Sequence, residues 1–180
     1  MINDPAFLIG ILGSLILIVG AALPDRLTSH PARSRKNQFL AVGSACMFAY
    51  AVLNYFDGGS FFFILLQVLI AVSTILMLLG TSDRIDVPVL TCAGVGLALY
   101  SLSLFEGYAT LIFVAGLVIL GVGFALKTGT SRRNLALAVG SAIIAAFSYL
   151  QSDWIFFGLN VFFALFSGYH TWKLKSAVKR

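Results

Sequence analysis

Residues 34–45 read SRKNQFLAVGSA, and residues 131–142 read SRRNLALAVGSA. Nine of the twelve positions are identical, and Lys36 opposite Arg133 is conservative. Agreement this dense, at an offset of 97 residues, marks an internal duplication. It extends in both directions. Upstream, residues 9–23 align with 112–126 at an offset of 103, with eight of fifteen positions identical. Gly13 then faces Gly116, and Gly20 faces Gly123. Downstream, residues 60–72 align with 153–165 at an offset of 93, which pairs Gln67 with Asn160. The offset changes only between apolar segments, where connecting loops tolerate insertions.

The repeated unit is built for lipid. Of 180 residues, 59% are hydrophobic and 11% charged, with a mean hydropathy of +0.97. Soluble domains carry about 45–50% apolar and about 25% charged residues, so a water-soluble globule is excluded. Sixteen Phe and long Leu/Ile/Val runs exclude disorder as well. A bilayer span takes about 20 apolar residues, so the chain holds at most about seven, with no room for a separate soluble domain. Seven apolar segments can be marked: 6–23, 39–53, 61–79, 87–105, 108–126, 135–150 and 154–171. The residues before the first segment carry Asp4 and no Lys or Arg, the wrong sign for a signal peptide. Cys46 and Cys92 fall inside apolar runs and read as small buried hydrophobes, with no disulfide framework or metal spacing.

Charge gives the orientation. Loops after the odd-numbered segments hold Arg26, Arg33, Arg35 and Lys36, then Arg84, then Lys127, Arg132 and Arg133. The C-terminal tail holds Lys173, Lys175, Lys179 and Arg180, which completes all 12 basic residues. The opposite side carries Asp4, Asp57, Glu106 and Asp153 and nothing basic. The positive-inside rule then predicts an external N-terminus and a cytoplasmic C-terminus in a plasma (bacterial inner) membrane. The same rule explains the net charge of +5 without a nucleic-acid partner.

The expected fold is an all-α integral membrane protein of seven transmembrane helices. Residues 1–80 form one three-helix repeat, 81–106 a linker helix, and 107–180 a second repeat (3+1+3). Three spans leave the chain on the far side of the membrane, and a fourth returns it, so both repeats insert in the same direction. Parallel repeats related by an axis along the membrane normal are a transporter architecture, with the site near the midplane.

This arrangement resembles the SWEET sugar transporters, their half-sized semiSWEET relatives and the PnuC vitamin transporters, the PQ-loop type superfamily. Such proteins carry an acidic residue, an aromatic stretch and a Pro-Asn pair opening the third helix of each repeat. Here Asp153, Trp154, Ile155 and Phe156 lead to Leu159-Asn160, so the Asn is present and the Pro is Leu. The first repeat has Leu66-Gln67. The four prolines, Pro5, Pro24, Pro31 and Pro88, fall at span ends or in loops, so glycines such as Gly13, Gly20 and Gly43 are left as contact or bending points.

Gln67 and Asn160 are the leading substrate-binding candidates. Each is expected about 10 Å inside a hydrocarbon core about 30 Å thick. A side-chain amide offers two donors and an acceptor to a hydroxylated or amide-bearing ligand. Tyr50 is a candidate pore-side hydroxyl, and Phe63, Phe156 and Phe163 are candidate walls for stacking. Asn37 and Asn134 are expected to cap the second and sixth helices.

No charged residue lies in the middle of a segment, which argues against a proton relay, voltage sensor or carboxylate Na⁺ site. There is no mid-span lysine for retinal, no paired membrane histidine for haem, and no Ser/His/Asp or Cys/His set. The expectation is therefore a non-enzymatic, cofactor-free uniporter for a small neutral polar solute, a sugar or nucleoside-like vitamin. Its partners would be the bilayer, the solute, and further copies or a larger membrane complex. The alternative is a non-transporting accessory or scaffold subunit that keeps a transporter-like fold.

Overall fold

The computed structural model describes residues 5–23 and 30–178. Asp4, Pro24, Arg26, Lys179 and Arg180, used above, lie outside them. Among the described residues there are seven α-helices, one 3-10 turn (Pro31–Arg33) and no strand. The helices are α1 (Pro5–Ala22), α2 (Arg35–Phe56), α3 (Phe62–Leu79), α4 (Asp83–Ser103), α5 (Tyr108–Ala125), α6 (Ser131–Leu150) and α7 (Trp154–Val178).

Helices α1 to α6 are long and apolar enough to cross a membrane. In lipid, every backbone N–H and C=O must be satisfied within the segment, and a helix does this without partners. Helix α7 is the longest, and Asn160, His170, Lys173 and Lys175 interrupt its apolar run. The result is an all-helical fold suited to a bilayer rather than to water.

The helices group into two compact units, Met1–Ser82 and Asp83–Arg180. In the first, α2 packs against both α1 and α3. In the second, α6 packs against both α5 and α7, and α4 packs on α5. Helix α4 therefore groups with the second repeat.

The duplication is visible in atomic contacts. A Cβ added at Gly43 on α2 would lie 2.7 Å from Leu17 Cγ and 2.9 Å from the Leu17 backbone nitrogen on α1. A Cβ added at Gly140 on α6 would lie 2.8 Å from Leu120 Cγ and 2.9 Å from the Leu120 nitrogen on α5. These are the same positions in the two repeats. Gly13 fits against Cys46 and Met47, as Gly116 does against Ile143 and Ile144. The glycines at these crossings let backbones approach, as small residues do between membrane helices. They are contact points, and both helix pairs use the same ones.

Helix ends differ from the expectation. Helices α2 and α6 begin at Arg35 and Ser131, a turn before their apolar segments. The N-cap positions are therefore Ser34 and Thr130, not Asn37 and Asn134. Thr130 Oγ1 accepts the Arg133 N–H at 3.3 Å. The Asn37 amide instead donates to Pro31 O at 3.0 Å and holds the 3-10 turn against α2. Pro31 in turn lies over Gly80, whose left-handed conformation (φ 64°) ends α3. Pro88 lies inside α4 rather than at its end, because the polar turn Asp83–Asp86 continues the helix outward. Two acidic residues in that first turn suit the helix dipole. Cys46 is half-buried, but Cys92 is exposed on α4 rather than buried.

Candidate functional site

In the first unit the site is built on α3. Phe63 and Gln67 are one helical turn apart and share a face. Both are withdrawn from the surface, Phe63 completely and Gln67 to 1% exposure. Tyr50, on the neighbouring α2, is buried as well. Gln67 stands five residues inside the start of α3, about 7.5 Å along the axis. Its Oε1 is buried with no hydrogen-bond partner among the described residues. An acceptor left so inside a protein costs about 1–3 kcal/mol.

In the second unit the equivalent face belongs to α7. Phe156 is fully buried and Asn160 nearly so, one turn apart, in the register that the alignment of Phe63 with Phe156 requires. Asp153 is the buried N-terminal cap, and its Oδ1 accepts the Phe156 N–H at 3.0 Å. Asn160 Nδ2 donates to Phe156 O at 2.8 Å, so this amide is tied to its own helix. Phe163 is half-buried. Phe147, the counterpart of Tyr50, is fully buried against Phe113 with ring centroids 5.1 Å apart.

The repeats thus bring Phe63 together with Gln67, and Phe156 together with Asn160, each pair on one helix. Gln67 belongs to the first unit and Asn160 to the second.

Sequence reasoning missed a second polar level. Ser44 on α2 lies 3.4 Å, oxygen to oxygen, from Thr74 on α3, and its hydroxyl also bonds Leu40 O at 2.7 Å. Thr74 is seven residues beyond Gln67, about 10 Å further along α3. The duplication carries both positions forward as Ser141 and Ser167, each buried. The signal was present, since Ser44 and Ser141 sit in the best-matched block of the sequence. Among the described residues no group of three His, Cys, Asp or Glu could hold a metal ion. An open apolar groove lies elsewhere in the second unit, between α6 and α7.

Comparison with protein-family models, with curated proteins and with solved structures finds no match for the chain.

Proposed function

We propose that the chain is a facilitative membrane carrier for a small neutral polar solute of the sugar or nucleoside-like vitamin class. Seven spanning helices would form two parallel three-helix repeats, with α4 restoring the direction of insertion. The observation that carries the reading is Gln67 Oε1, a fully buried acceptor without a partner among the described residues, at the position the duplication equates with Asn160. A ligand hydroxyl or N–H would satisfy it, with Tyr50 and the Phe63 ring as walls in the first unit; Phe156 and Phe163 would play that part beside Asn160 in the second. Rocking of one repeat against the other would open the site to each side in turn.

Helix α7 serves as the seventh span in this reading. Trp154 opens the helix and Trp172 stands 18 positions further on, both exposed, and that rise measures about 27 Å. That matches a hydrocarbon core about 30 Å thick, with Trp at both interfaces. Lys173 and Lys175 follow Trp172 directly, which supports a cytoplasmic C-terminus in a plasma membrane.

The test is a thermal-shift screen of the purified protein against sugars, nucleosides and neutral vitamins. A ligand at about 100 times its Kd stabilises by about 2.7 kcal/mol. The shift is expected in the wild type and absent in Gln67→Ala/Asn160→Ala. A shift that persists in the double variant refutes the site.

One observation favours the accessory-subunit reading instead. Asn160, Ser101, Ser148 and Thr171 all donate to carbonyls one turn earlier in their own helices, as buried structural polar groups do. A subunit would show no ligand shift and would purify with a stoichiometric protein partner.

A further inference from the structure

We propose that the chain stands in a cytoplasm-facing state, in which water enters the first unit along α3 as far as Ser44 and Thr74 and stops short of Gln67. The proposal rests on the carrier reading of Gln67 and deepens it, by naming the side from which that position is approached. That side is the basic one, cytoplasmic in the orientation that charge gives.

The burial of α3 changes along its length. Among residues 62–69, Phe62, Phe63, Leu65, Leu66, Gln67 and Leu69 are buried and none is exposed. Among residues 70–79, Leu76 alone is buried, and Ala71, Val72, Ser73 and Thr74 are half-buried in succession. Four successive residues pass right round a helix of about 3.6 residues per turn, so no side of this stretch is sealed. Lipid accounts for one side, marked by the exposed apolar Ile75 and Leu79. Ser73 stands about 200° round the helix from Ile75, nearly opposite the lipid side, and it too is half-buried. The inner half of α3 is therefore open on a second, polar side.

The hydroxyls there are suited to water. Ser44 Oγ commits its hydrogen to Leu40 O at 2.7 Å, so Thr74 is the donor in the 3.4 Å contact between them. A good O–H···O bond measures about 2.7–2.8 Å, so this one is slack. Hydroxyls shut away from water turn back to a carbonyl of their own helix. Ser148 and Thr171 do so at 2.8 and 2.9 Å. Thr74 shares the face of Gln67, two turns nearer the basic end of α3. At that end Thr81 is half-buried beside the Gly80 cap, and Asn37 holds Pro31 over it.

The second repeat is closed at the same level. Ser141 and Ser167, the counterparts of Ser44 and Thr74, are both buried. Helices α6 and α7 also pack together more extensively than α2 and α3 do. The opening belongs to the first unit.

The experiment is cysteine labelling of the full chain in right-side-out and inside-out membrane vesicles, with a membrane-impermeant cationic methanethiosulfonate. The background is Cys46→Ala/Cys92→Ala, and the single cysteines are Ser44→Cys, Thr74→Cys, Ile75→Cys and Gln67→Cys. The thiolate is the reacting species, and lipid suppresses it. Thr74→Cys and Ser44→Cys should react from the cytoplasmic face alone, about ten times faster than Ile75→Cys. Gln67→Cys should be silent from both faces. Ser44→Cys exchanges oxygen for sulfur, so it carries the test if Thr74→Cys fails to fold. Equal rates at positions 74 and 75 overturn the proposal, because the end of α3 would then simply lie outside the bilayer. Silence at both 44 and 74, or reaction there from the outer face, overturns it, as does cytoplasmic labelling at 67. Labelling needs no solute. A chain that labels as expected but gives no solute-induced thermal shift keeps its open inner half and loses only the carrier reading.

Discussion

Replacing Gly43 with alanine asks whether the repeated glycines are points of contact or of bending. The new Cβ would stand 2.9 Å from the backbone nitrogen of Leu17. Ordinary carbon contacts lie at about 3.5–4.0 Å, so α1 and α2 would have to part by roughly 0.6–1.1 Å. Part of this obstacle is backbone and has no alternative rotamer. A gap of that size forfeits about a quarter to a half of the attraction between facing atoms. Overpacking of this kind costs about 1–3 kcal/mol. Against it stands the gain of about 1 kcal/mol that alanine has over glycine inside a helix. The net expectation is a loss of about 0–2 kcal/mol, hence about 1–3 kcal/mol less stable than a position where alanine meets no obstacle. Gly140→Ala should lose the same amount, because its Cβ would stand at the same 2.9 Å from the Leu120 nitrogen. Gly96→Ala is the control, as nothing lies within 4 Å of a Cβ there. It should be neutral or gain up to about 1 kcal/mol. The assay is reversible unfolding by SDS in mixed micelles, followed by circular dichroism. If Gly43→Ala and Gly140→Ala are as stable as Gly96→Ala, the close-contact interpretation is wrong.

Other substitutions probe the polar groups. Gln67→Leu removes a buried acceptor without a partner, so it should stabilise the protein by about 1–3 kcal/mol in the same assay while abolishing any solute-induced shift. Destabilisation would mean that Oε1 has a partner. Asn160→Ala loses a bond to its own helix and should cost only about 0.6 kcal/mol, the average for polar contacts in membranes. Asp153→Ala removes the cap of α7 and should cost about 1 kcal/mol. It should also speed hydrogen exchange at the Phe156 amide, and unchanged exchange there would refute the capping role.

The helices were legible because lipid imposes one rule along the whole chain. Every span must be a long apolar run, and the seven runs marked from sequence coincide with α1 to α7. The repeat was legible too, and its offsets carry the contact of Gly43 with Leu17 onto that of Gly140 with Leu120. Helix starts were less so. The first turns of α2 and α6 are polar, so an apolar pattern passes over Arg35 and Ser131, and the cap falls at Ser34 and Thr130 rather than at an Asn. At the candidate site, the equivalence of Phe63 and Gln67 with Phe156 and Asn160 was legible from the repeat, but the burial of all four was not, since the sequence reading had them line a solute path. The bond from Asn160 to Phe156 O was not legible either, because it depends on a side-chain rotamer that spacing leaves open.

Carriage of a neutral solute is tested most directly by counterflow in proteoliposomes. Vesicles preloaded with an unlabelled sugar or nucleoside are diluted into a trace of the labelled compound. The expected result is transient, saturable accumulation that ignores membrane potential and pH gradient and disappears in Gln67→Ala/Asn160→Ala. The opposite result is accumulation no greater than in protein-free vesicles for every solute in the panel, with a stoichiometric protein partner bound to the purified chain. That outcome would make the protein a subunit of a larger membrane complex.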